Sequence, residues 1–113
     1  MRKQAVDVLF NVRQHITNNL PVGNSFLPLD ILLAVLRESS KNELLTVKRL
    51  FASLPHSHTG LRYHFDKLLV EGWLELEAVD CDKRIKIVKP TVKLTTQFDL
   101  MSQSLLSTFN SSN

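Results

Sequence analysis

Between residues 46 and 91 the spacing of apolar positions changes twice, and the changes mark a helix, a turn, a helix and a hairpin. Leu50, Phe51 and Leu54 fall on one side of a short helical stretch behind Thr46, whose hydroxyl suits a helix N-cap. Lys48 and Arg49 point the other way. Pro55 has no amide hydrogen to continue that helix and enforces a turn, after which Ser57 caps a second helix. Leu61, Phe65, Leu68 and Leu69 share one side of this second helix. Thr59, Tyr63, Asp66 and Lys67 share the opposite side, with Arg62 on its flank. Gly72 is the expected terminator. Beyond it the period drops to two: residues 73–79 and 84–88 alternate as strands of a hairpin around a charged tip at 80–83.

Helical patterns flank this stretch. Over residues 3–20, Ala5, Val8, Leu9, Val12, Ile16 and Leu20 share a face that Val6 and Phe10 widen and Arg13 and Thr17 interrupt. At about 100° per residue the stripe covers more than half the circumference, more than packing on one core requires. Such a helix either meets a second subunit as well as its own domain, or lies between helices of its own chain. Residues 21–25 form a loop. The next helix starts near Pro28, and its unbroken apolar run at 31–36 marks a central buried helix. A polar connection covers residues 37–42. Thr91 caps a last helix on which Leu94, Phe98, Met101 and Leu105 recur at steps of four, three and four, a coiled-coil-like seam that Phe109 extends.

The expected fold class is therefore α+β, mainly α: a winged helix-turn-helix with flanking N- and C-terminal helices. One domain spans residues 1–109, divided into a dimerisation helix at 1–20, the helix-turn-helix at 46–71, the wing at 73–89 and a C-terminal helix at 91–109. Residues 110–113 form a frayed tail. Val6, Leu9, Phe10, Ile16, Phe98, Met101 and Leu105 are the expected dimerisation residues, giving a homodimer.

Composition narrows the class. With 113 residues, 43% hydrophobic and 22% charged, the chain matches one ordinary globular domain. No apolar stretch approaches a membrane span, and no signal-peptide core follows Met1, so a cytoplasmic location is expected. The single cysteine, Cys81, excludes an intrachain disulfide. The net charge of +3 is unevenly placed: residues 83–93 hold Lys83, Arg84, Lys86, Lys89 and Lys93 with no acid, which leaves −2 for the other 102 residues. A basic stripe of this kind is the footprint of polyanion binding. A solvated edge strand guarded by lysines is the plainer reading.

The pattern Ser57, Leu61, Phe65, Leu68, Gly72, Leu74 resembles the recognition helix and following strand of winged-helix regulators of the MarR type. Asp82, Lys83 and Arg84, followed by Lys89, Pro90 and Thr91, resemble that family's wing. The likeness covers about residues 46–94. Phe51 stands where such motifs usually carry alanine, Pro90 stands for the usual leucine, and the chain is shorter than most members. The resemblance implies a small transcriptional regulator binding double-stranded DNA sequence-specifically, with the second helix in the major groove and the wing on backbone or minor groove. Ser57, His58, Thr59, Arg62, Tyr63, Lys67, Lys83, Arg84, Lys86 and Lys89 are then the expected DNA-binding residues. Arginine pairs bidentately with guanine, and threonine reaches a base edge, a phosphate or a thymine methyl. Asp66, one turn after Arg62, is read as its orienter, and Asp82 as that of Arg84.

Other chemistry is thin. His56, His58, His64 and Cys81 lack the spacing of a four-ligand zinc site, so no metal or cofactor is expected. Lys83 and Arg84 favour a Cys81 thiolate while Asp80 and Asp82 oppose it. No phosphate loop, nucleophile elbow or supported carboxylate pair is present, so no enzyme is expected, and no polar cluster identifies an effector pocket. A winged helix used purely as a protein-interaction module is the alternative function.

Overall fold

A computed structural model of the chain describes residues 1–23 and 25–111, the side chains of 109–111 excepted. Among these, five helices and a two-stranded antiparallel sheet follow in the order α1 (Arg2–Asn19), α2 (Phe26–Ser40), α3 (Val47–Ser53), α4 (His58–Val70), β1 (Leu74–Val79), β2 (Asp82–Pro90) and α5 (Val92–Ser111). The expected class, α+β and mainly helical, is the one observed. None of the described helices is long and apolar enough to cross a membrane.

The core is built around α2. Ser25 accepts a hydrogen bond from the Leu27 amide at 3.1 Å, so the helix starts two residues before Pro28. Proline is tolerated there because the amides of a first turn have no intrahelical partner. Ile31, Leu32 and Val35 are buried with Leu50 of α3, Leu61 and Phe65 of α4, and Leu94 of α5. Each such side chain stabilises the fold by about 1.5–3 kcal/mol. Leu33 is exposed, so the apolar run at 31–36 is not buried throughout.

Gly60 lets α2 approach α4 closely. A Cβ there would lie 3.0 Å from Leu27 Cδ1 and 3.0 Å from Ser57 Oγ, which accounts for a glycine inside a helix despite its cost of about 1 kcal/mol. Thr46 caps α3 by accepting from the Arg49 amide at 3.0 Å. Arg49, exposed as expected, also bonds Glu38 at 2.9 Å and the Leu44 carbonyl at 3.0 Å, joining the end of α2 to the start of α3. His56 in the turn bonds Asp30 of α2 at 2.7 Å.

Helix α4 ends as expected at Gly72, whose φ is +81°. The Gly72 amide donates to Leu69 O at 3.1 Å and the Trp73 amide to Leu68 O at 2.9 Å, the paired bonds of a Schellman motif. Thr91 performs two tasks. Its hydroxyl donates to Gly72 O at 2.7 Å and accepts from the Leu94 amide at 3.3 Å, so the start of α5 is fastened to the end of α4.

The wing corrects one expectation. Val79 pairs with Asp82, so the tip is Asp80 and Cys81 alone, and Asp82 and Lys83 belong to β2. The next pair inward is Ala78 with Lys86, which leaves Lys83, Arg84 and Ile85 as a bulge on β2. Bulges of this kind re-aim side chains near strand ends. At its base the wing is anchored: the Val88 amide donates to Leu45 O at 2.8 Å, and Thr46 bridges Ile87 antiparallel. Ile87 and Val88 are consequently both buried, and strict alternation is lost there.

Helices α1 and α5 pack together, with Thr108 Oγ1 3.3 Å from His15 Nε2. The molecule measures 53 × 26 × 23 Å with a radius of gyration of 15.8 Å. A compact domain of this length has about 13 Å. No residue of α1 is fully buried, and Leu9 and Phe10 are about two-thirds exposed. The seam on α5 behaves differently. Leu94 and Met101 are buried, with Phe98 and Ile16 packed against the core. Met101 is thus occupied within the chain, while Phe98 and Ile16 are half-buried against the core. Leu105 is half-buried. The backbone of α5 stays helical through Ser111, past the expected start of a tail at 110. The Phe109 side chain and residues 112–113 lie outside the described residues, as does Asn24 in the first loop.

Candidate nucleic-acid interface

Ser57 fixes the start of α4 by accepting from the Gly60 amide at 3.1 Å. With Leu61, Phe65 and Leu68 turned inward, the first two turns present His58, Thr59, Arg62 and Tyr63 to solvent. Asp66 accepts from Arg62 Nη1 at 3.1 Å, the pairing expected from their spacing. Tyr63, 64% exposed, sets its ring edge-on to His64 at 5.1 Å.

On the wing, the bulge carries Arg84 clear of the sheet, its side chain 91% exposed. Asp82 orients it. The Asp82 carboxylate accepts from the Arg84 backbone amide at 3.0 Å and from Nε and Nη2 at 3.1 Å each. The Arg84 side-chain bonds, and then its amide, hold the Asp82 carboxyl below its ordinary value, and Asp82 in turn raises the guanidinium.

Because residues 45–46 anchor β2, the wing stands beside α3 and α4 rather than apart from them. Between them lies an open groove of about 900 Å³, whose floor is Phe51, Phe65, Leu76 and Ile85. Its rim carries Lys48 from α3, His58 and Arg62 from α4, and Arg84 and Lys86 from the wing, and among the described residues no carboxylate lines it. Four cations from three elements, far apart in sequence, face one concavity. Low-dielectric walls under these cations focus the field on an approaching anion, an effect reduced by Asp66 and Asp82, which pair with Arg62 and Arg84.

The groove does not gather every expected residue. Lys67 lines a separate depression with Leu20, Pro28 and Glu71. Lys89 is ion-paired to Glu77 across the hairpin and lines a separate depression between the base of the wing and the end of α2, with Val35, Ser39 and Leu45. Lys83 is exposed on the bulge but does not line the groove. Ser57 acts as the cap beneath His58 and Thr59. Lys48 was not legible as part of the site, because its approach to Arg84 and Lys86 depends on the bridge between Thr46 and Ile87. Among the described residues no cluster of three or more His, Cys, Asp or Glu is placed to hold a metal ion, and Cys81 is an exposed free thiol at the tip.

No family model and no curated protein sequence matches the chain. Solved structures do. The transcriptional regulator Tm0710 from Thermotoga maritima matches with a TM-score of 0.70 at 12% identity, over 97% of this chain and 72% of that one. AbfR, in an overoxidized form bound to DNA, matches with a TM-score of 0.61 at 20% identity, over 94% and 74%. A transcription regulator from Bacillus cereus named as MarR-like matches with a TM-score of 0.57 at 14% identity, over 93% and 73%. At these identities the likeness is one of fold, and the fold is that of the MarR-like winged-helix transcriptional regulators.

Proposed function

We propose that the protein is a non-enzymatic transcriptional regulator that binds double-stranded DNA sequence-specifically as a homodimer in the cytoplasm. The observation that carries this reading is the groove that unites Lys48, Arg62, Arg84 and Lys86. In this reading the first turns of α4 enter the major groove, with His58, Thr59, Arg62 and Tyr63 at base edges and phosphates. Arg84, Lys86 and Lys83 of the wing, with Lys48 of α3, take the flanking backbone or minor groove. Lys67 and Lys89 are peripheral, and Ser57 contributes through its cap. The DNA-bound state of AbfR, which shares the fold, supports the choice of ligand.

The paired state is supported by the exposed Val6, Leu9 and Phe10 on a helix that projects from the body. A two-fold pair presents two recognition helices to successive major grooves, about 34 Å apart on a palindromic site.

A salt-titrated binding measurement on random duplex DNA tests the proposal. Affinity should fall steeply between low and physiological salt, because displaced counterions set the slope. The pairing of Arg62 with Asp66 and of Lys89 with Glu77 favours a second reading, a winged helix that docks on another protein. Absence of duplex binding at low salt selects that reading instead.

A further inference from the structure

Phe51 lies where α3 crosses α4 and touches three side chains of α4. Its ring centroid is 5.3 Å from that of Phe65 and 5.5 Å from that of His58, edge-on in both cases. The guanidinium carbon of Arg62 stands 5.0 Å from the Phe51 centroid and 5.8 Å from the Phe65 centroid. Asp66 then accepts from Arg62 Nη1 at 3.1 Å. Two aromatic rings and one carboxylate therefore hold a guanidinium on a side chain that is about half exposed. Nε and Nη2 have no hydrogen-bond partner among the described residues, and Arg62 lines the groove.

We infer that Phe51 is a positioning residue for base reading, holding Arg62 so that its free Nε–Nη2 edge selects guanine. The inference rests on the duplex-binding reading above. A bidentate contact to guanine O6 and N7 needs two coplanar donors on one edge. Asp66 takes Nη1, so the edge left over is the one that offers such a pair. An arginine free in solvent must give up rotamer freedom when it meets a base, and a planar fork already restrained loses less. Cation–π contact at an exposed site contributes about two- to fivefold in an equilibrium constant. That is enough to weight the rotamer population without fixing it permanently. The same ring braces His58, so loss of Phe51 loosens two neighbouring positions of the interface together.

The test uses the full chain and a site selected from a random duplex pool. The readout is the affinity ratio between that site and one in which the guanine facing Arg62, located by loss of preference in Arg62→Ala, is changed to adenine. The parent ratio should lie at roughly five- to hundredfold. Phe51→Leu keeps an apolar side chain and should lower the ratio about two- to fivefold. Phe51→Tyr keeps the ring and should restore it. Arg62→Lys keeps the charge but not the fork, and should lose the preference while preserving the salt slope. In the Arg62→Ala background, Phe51→Leu should change the ratio no further. A parent-like ratio in Phe51→Leu, or a further fall in the Arg62→Ala background, overturns the inference and leaves the duplex-binding reading standing. A parent that binds no duplex removes both.

Discussion

Arg84 meets Asp82 through three hydrogen bonds, one from its own amide and two from its guanidinium. Ion pairs between exposed side chains usually contribute little to stability. The significance of this one is directional: it sets where the cation points on a bulge that carries it away from the sheet. Arg84→Ala should weaken binding to all duplex sequences alike and lower the salt slope by about 0.9 for each phosphate that is no longer neutralised. Lys89→Ala, which removes a lysine already paired to Glu77, should leave the slope close to that of the parent. Equal slope changes in the two variants would place the DNA-facing surface on the wrong side of the wing.

The same pair has a pH signature. Arg84 depresses the Asp82 carboxyl, so the pair's contribution is present above the ordinary aspartate value and is lost as pH falls through the depressed one. Between about pH 5 and 8, a window above ordinary carboxylate titration, the wing should therefore bind without a titration step from this pair. A carboxyl-carbon NMR titration should find Asp82 below the ordinary aspartate value, and Arg84→Ala should move it upward. An unchanged midpoint in that variant argues against the fork in solution.

The projecting α1 predicts an association state. Leu9 and Phe10 are exposed in the protomer, so Leu9→Asp with Phe10→Asp should leave the fold intact. Sedimentation equilibrium should show the parent at twice the 12.9 kDa chain mass and the double variant at the chain mass. A parent at 12.9 kDa removes the paired-groove arrangement outright.

Gly72 separates conformational cost from steric cost. A Cβ there meets nothing within 4 Å, yet its φ is +81°. Gly72→Ala should then destabilise by about 1–2 kcal/mol through backbone strain alone. Chemical denaturation at constant m-value measures it, and a neutral result contradicts the left-handed cap.

Much of this architecture is legible in the sequence because local rules set it. Thr46, Ser57 and Thr91 cap the helices expected of them, Gly72 terminates α4, the pair Arg62–Asp66 follows from spacing, and the pair Arg84–Asp82 follows from the resemblance of the wing. The features that are not legible depend on how one element meets another. A periodic seam gives no indication of which neighbour it meets, and Met101 faces its own chain. Alternation cannot count a bulge, so Asp82 and Lys83 read as tip residues although they belong to β2. Lys48 joins the groove only because the wing docks against α3.

That docking has a mechanical consequence. The Leu45–Val88 hydrogen bond and the Thr46–Ile87 bridge connect the segment leading into α3 to the strand carrying the wing's cations. Ile87 and Val88 are buried at the joint, so hinging there would expose apolar surface as well as break hydrogen bonds. The wing and the segment entering α3 are therefore joined, like the arms of a caliper, at a buried and hydrogen-bonded base. In the proposed pair on duplex DNA, affinity would then vary with the distance between two calipers, which the packing of helices α1 and α5 would set.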